Sequence, residues 1–106
     1  MPLTREFKAT IRDRVQRDSK FRKELLREGL EAMLSGEIPL AKTILRDYIN
    51  ATVGFNRLAE ATHIPSKSLM RMFSPVGNPR AAKLFQIVGF LQHHEGVRFH
   101  VRPISS

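Results

Sequence analysis

Four residues near the middle of the chain, Ser66, Lys67, Met70 and Arg71, combine types and spacing that suit a surface for reading base edges. Positions i, i+1, i+4 and i+5 share one face of a helix, so the four would project together, away from Leu69, Met72 and Phe73. Arg71 can donate two hydrogen bonds to a guanine, Lys67 can reach a guanine or a phosphate, Ser66 can bond a base or the sugar-phosphate backbone, and Met70 can touch a thymine methyl. Basic residues on an exposed helical face are more often simply solvated. The face therefore gains meaning only from the elements that carry it.

Other chemistries find less in the residues. His93, His94 and His100 invite a metal reading, but adjacent histidines on a helix point about 100° apart and no carboxylate pattern accompanies them, so they read as surface histidines with no metal or cofactor. The chain has no cysteine, which excludes a disulfide scaffold, thiolate zinc sites and cysteine catalysis and suits a reducing cytoplasm. No Gly-rich phosphate loop, nucleophile elbow or paired carboxylates are present, and the residues argue against an enzyme.

The basic face belongs to the stretch 55–73, which has the apolar spacing of two short helices crossing over one small core, a helix-turn-helix. Counting Phe55 as the first position, Leu58, Ile64, Leu69 and Met72 fall at the fourth, tenth, fifteenth and eighteenth, and small Ala59 stands at the fifth, where the helices approach closely. The ninth position takes positive φ and usually carries glycine; here it is His63, which tolerates that region better than a β-branched residue would. The first helix would lie across a duplex backbone with Asn56 and Arg57 near phosphate, and Pro65 sets the start of the second.

At 106 residues the chain is most simply one domain with a modest core, and its net charge of +8 and pI near 10.9 favour a polyanionic partner. Residues 1–28 hold nine Lys/Arg against five Asp/Glu, and residues 57–83 hold five against one. The second cluster coincides with the helix-turn-helix and marks a phosphate-contacting face. No apolar run approaches the roughly 18 residues of a membrane span and no signal peptide opens the chain, which predicts a cytoplasmic protein without a membrane partner.

In chain order, residues 4–17 predict a short helix with Phe7, Ile11 and Val15 on one side. Asp18 and Ser19 are good N-caps for a helix over 20–34, ended by Ser35-Gly36. Phe21, Leu25, Leu26, Leu30, Ala32, Met33 and Leu34 cover more than half of that helix, which fits either a wedge between neighbouring helices or a protein interface. Pro39 in a first turn opens a helix to about residue 50, with Leu40, Ala41, Ile44, Leu45 and Tyr48 inward and Lys42, Arg46, Asp47 and Asn50 outward. Asn78 as N-cap and Pro79 at the first helical position predict a last helix to about residue 93. Its core stripe is Leu84, Ile87, Val88 and Leu91, with Ala81 and Phe85 at the margin. Phe90 lies opposite, as an ordinary surface aromatic or a dimer contact. Residues 97–102 alternate as a half-buried strand does; lacking a mate in the chain, Val97, Phe99 and Val101 would pair with a second copy, giving a homodimer that spaces its recognition helices about 34 Å apart.

Residues 45–50 (LRDYIN), residues 67–79 (KSLMRMFSPVGNP) and the helix around Leu84 to Leu91 resemble the lambda-repressor-like (Cro/CI, XRE) class, and more narrowly prophage-type regulators described as antidote proteins of addiction modules. The resemblance covers about residues 38–101. It implies a mostly α, five-helix domain over residues 37–106 that binds double-stranded DNA, preceded by an N-terminal helical extension over 1–36 and closed by a short C-terminal β-strand. It further implies repression of an operon that encodes a RelE/ParE-like toxin, and DNA-facing roles for Asn56, Arg57, Ser66, Lys67, Met70 and Arg71, with Asn78 and Arg80 near phosphate. His63 and the basic N-terminal extension depart from the family pattern. The expectation is a sequence-specific repressor and antitoxin; the alternatives are a nucleic-acid module of low specificity and a toxin-neutralising protein whose DNA binding is secondary.

Overall fold

The computed structural model describes residues 5–105, with side chains at residue 10 and from residue 12 onward. Among the described residues the chain is all-α: α1 (Arg5–Arg17), α2 (Ser19–Leu34), α3 (Ile38–Ala51), α4 (Phe55–Thr62), α5 (Ser66–Met72) and α6 (Ala81–Glu95). No helix among them is long and apolar enough to cross a membrane.

Both ends of α2 have a local cause. Asp18 separates α1 from α2 and its carboxylate accepts the Phe21 amide at 3.1 Å, satisfying one of the free donors of the first turn. At the other end of α2 the Glu37 amide donates back to the Ala32 carbonyl at 2.9 Å. Val15 of α1 is fully buried; Phe7 and Ile11, expected on the same side, lie outside the described side chains. The Arg14 guanidinium stands 4.3 Å over the Phe21 ring, joining α1 to α2.

The wide apolar surface of α2 is used on two sides, against α1 and, most extensively, against α3. Gly29 permits the closer approach, since a Cβ there would lie 2.9 Å from Leu45 Cδ2. The polar remainder carries Arg27 between Glu24 and Glu31, and its hydrogen bond holds the Glu24 carboxyl below its usual range. Leu34, at the end of α2, is left exposed.

One core runs through the chain. Leu26 of α2, Leu45 and Ile49 of α3, Leu58 of α4, Leu69 of α5 and Leu91 of α6 belong to a single buried cluster, each side chain contributing about 1.5–3 kcal/mol by burial. The segment expected as an N-terminal extension thus supplies part of the same core as α3–α6.

Several features differ from the sequence reading. Lys42, expected to face outward, is 8% exposed, and Leu40, expected inward, is half exposed. Helix α6 begins at Ala81 rather than Pro79: Arg80 is extended (φ −70°, ψ 147°) and stands at the N-cap, two residues past Asn78. It also runs on to Glu95, where Gly96 at φ 75° closes it and the Val97 amide reaches the Gln92 carbonyl at 3.0 Å. On α6 the two phenylalanines exchange roles: Phe90 is half-buried against the core and Phe85 is 64% exposed.

The strand expected over 97–102 is not formed within the chain; no strand occurs among the described residues. A lone extended segment has no ladder partner, and here the Phe99 amide finds the Gln92 side-chain oxygen at 2.7 Å instead. Val97 and Phe99 pack partly buried on their own core, while Val101 is 73% exposed.

A buried polar knot ties the ends of the chain together. Glu95, with its side chain 2% exposed, accepts from Arg22 and from the Tyr48 hydroxyl, and Arg22 also donates to the Val15 carbonyl at 3.1 Å. Helices α2, α3 and the end of α6 meet at this one carboxylate, and Arg22 carries the link on to α1.

Candidate nucleic-acid interface

The stretch 55–73 closes on itself. Phe55, the first residue of α4, and Phe73, just past α5, bring their rings to 6.2 Å between centroids at an interplanar angle of 53°. Between them the chain turns at His63, which adopts φ 58° and ψ 29°, the left-handed conformation expected of this position. The departure from glycine therefore leaves the turn geometry intact. Gln86 of α6 donates to the Thr62 carbonyl at 3.2 Å and Thr62 donates to Leu58 at 2.7 Å, so the last turn of α4 is held from both sides. Ile64 then enters the core and Pro65, extended at φ −56° and ψ 141°, starts α5.

This placement sorts the side chains of α5. Leu69 is fully buried, Phe73 almost so and Met72 half-buried; Lys67, Met70 and Arg71 are exposed and Ser66 is half-buried. Asn56 and Arg57 on α4, and Asn78 and Arg80 in the segment before α6, are exposed as well. Among the described residues no carboxylate pairs with Arg57, Lys67, Arg71 or Arg80, whereas Arg14, Arg17, Arg22 and Arg27 all do. The basic side chains of this region are thus available to an external anion.

The segment that follows α5 is pinned. Ser74 donates through both its hydroxyl (2.7 Å) and its amide (3.1 Å) to the Arg71 carbonyl, and the Gly77 amide donates to the Ser74 carbonyl at 3.1 Å. Gly77 presses so closely on α5 that a Cβ would stand 1.9 Å from the Arg71 carbonyl oxygen, a position open only to glycine. From the other side Lys42 Nζ donates to the carbonyls of Ser74 (2.9 Å), Gly77 (2.9 Å) and Pro75 (3.4 Å).

Lys42 was missed by the sequence reading, although a signal exists. Ile38, Lys42, Leu45 and Ile49 follow the i, i+4, i+7, i+11 stripe of one helical face, so the lysine continues an apolar row.

The remaining expected positions fall elsewhere. Phe90 stacks on His94 (5.9 Å, 20°) and, with Val97 and Phe99, lies against the chain's own core; His93 and His100 are exposed. Among the described residues no group of three or more His, Asp or Glu could hold a metal ion. A shallow cleft of about 300 Å³ opens beside Gln16, Thr52 and His94, its charged lining being the mutually neutralised Arg22 and Glu95. No family model, curated protein or solved structure matches the chain.

Proposed function

We propose that the chain is a sequence-specific DNA-binding transcriptional regulator of the lambda-repressor-like type, with α4 and α5 acting as its helix-turn-helix and α5 as the helix that enters the major groove. One observation carries this reading. Lys67 and Arg71 stand one turn apart on α5, exposed and without carboxylate partners, back to back with a fully buried Leu69. Asn56 and Arg57 at the start of α4, and Asn78 and Arg80 beyond α5, would flank that face and take phosphates. Pairing of the 97–101 segments of two copies would build the twofold dimer that such a regulator uses on a palindromic operator, with Phe90 beside the contact.

The test is an electrophoretic shift with the chain's own promoter against random duplex. A regulator of this kind binds the promoter preferentially and with a steep salt dependence, and the Lys67→Ala/Arg71→Ala double variant loses the preference, at about 1–3 kcal/mol for each base contact. Preference that survives the double change removes α5 from the role. Binding by the wild-type chain that tracks charge and ignores sequence would instead mark a nucleic-acid module of low specificity. The antitoxin role rests on the family resemblance alone; co-purification with the product of the neighbouring reading frame decides it.

A further inference from the structure

We propose that Lys42 is a positioning residue for the DNA-facing side: its ammonium is the post around which residues 74–78 are moulded, and through them it sets where Asn78 and Arg80 stand relative to α5. The inference rests on the reading of α5 as the groove-facing helix. It goes beyond that reading because Lys42 lies on α3, 8% exposed, and touches no surface that DNA could reach.

The geometry leaves the ammonium one task. Burying a charged amine costs several kcal/mol unless its donors are satisfied. Lys42 carries three donors and meets three acceptors, the carbonyls of Ser74, Gly77 and Pro75, two of them at 2.9 Å. All three belong to one loop, 32 to 35 residues further along the chain. The loop cannot relax toward α5, since Gly77 already touches the Arg71 carbonyl. Between these two constraints the path from Arg71 to Arg80 is fixed. With the cation gone, three inward carbonyls would lose their donor and would have to turn to water, carrying the segment that ends in Asn78 and Arg80 with them.

The experiment uses the full chain and its own promoter duplex, and follows the salt dependence of binding for wild type, Lys42→Met, Arg80→Ala and the double variant. Lys42→Met is expected to keep its helicity, bind about tenfold more weakly, and lose about one unit of the slope of log K against log salt, the share of a single phosphate contact. Adding Arg80→Ala should then cost almost nothing more, because the contact is already misplaced. Should Lys42→Met not fold, Lys42→Gln, which keeps an N–H donor one bond shorter and removes the charge, is measured in its place with the same expectation. A wild-type chain that binds no duplex sinks the reading of the interface itself. A wild-type chain that binds, with a Lys42 variant whose slope is unchanged or whose loss adds in full to that of Arg80→Ala, sinks the role of Lys42 alone.

Discussion

Arg22 Nε lies 2.7 Å from both carboxylate oxygens of Glu95, across 73 residues of sequence, joining the second helix to the end of the last. Such a pair is costly to break from one side. Arg22→Met leaves a carboxylate that is 2% exposed with Tyr48 as its remaining side-chain donor, and the expected loss is about 3 kcal/mol in urea denaturation. Replacing Glu95 by Met in the same chain should return part of that loss. Fully additive effects in this double-mutant cycle would show that the two residues are not coupled.

Tyr48 gives the fold an alkaline limit. Burial, then its hydrogen bond to Glu95, holds the phenol well above its ordinary range. The folded chain therefore keeps a proton that the unfolded chain releases above about pH 10, so stability is unaffected by this group below that pH and declines as the pH rises further. As Tyr48 is the single tyrosine, its ionisation can be followed by absorbance. Tyrosinate should appear together with loss of helicity, and Tyr48→Phe should flatten the decline. Free titration near pH 10 in a fully helical chain would refute the assignment.

His63 makes the turn between α4 and α5 at φ 58°. His63→Val places a β-branched residue where L side chains are strained and should cost about 1–2 kcal/mol. His63→Gly removes the strain but enlarges the unfolded ensemble, and should stay within about 1 kcal/mol of wild type. Thermal denaturation distinguishes the two; equal stabilities would mean that the turn is not left-handed in solution.

Two glycines should respond to alanine in opposite ways. Gly89 sits inside α6 with open space for at least 4 Å around the position a Cβ would take, so Gly89→Ala should stabilise by about 0.5–1 kcal/mol through helix propensity alone. Gly77→Ala drives a methyl into the Arg71 carbonyl and should instead destabilise and weaken promoter binding. If the 97–101 segments pair as proposed, Val101→Asp should shift sedimentation toward the monomer while leaving the melting temperature nearly unchanged, since Val101 is 73% exposed in the single chain.

Local signals placed the boundaries of α2 and α3, while the equally local Asn78-Pro79 signal placed the start of α6 two residues early. Asp18 as a cap, Ser35-Gly36 as a stop and Pro39 in a first turn each act on backbone within a few residues, and α2 and α3 begin and end within two residues of expectation. The exposed face of α5 was legible for the same reason, being set by 3.6-residue periodicity around Leu69. What escaped were ionisable residues that continue an apolar stripe. Lys42 follows Ile38 and precedes Leu45, and Glu95 follows Leu84, Val88 and Leu91 at the same spacing. Their burial is decided by partners 32 to 73 residues away, the loop carbonyls for one and Arg22 and Tyr48 for the other, which no local window contains. The exchanged roles of Phe85 and Phe90 have a similar origin: the stripe fixes a helix's apolar face, but which margin is covered depends on the neighbour that packs there.

The tie between Arg22 and Glu95 also limits how the chain can be divided. A fragment starting at residue 37 would inherit an interior acid stripped of its counter-cation, together with the bare side of α3 that Leu26 and Gly29 cover. Such a piece should emerge loosely ordered, bind hydrophobic dye and recover a sharp melting transition only when the missing first third is supplied in trans.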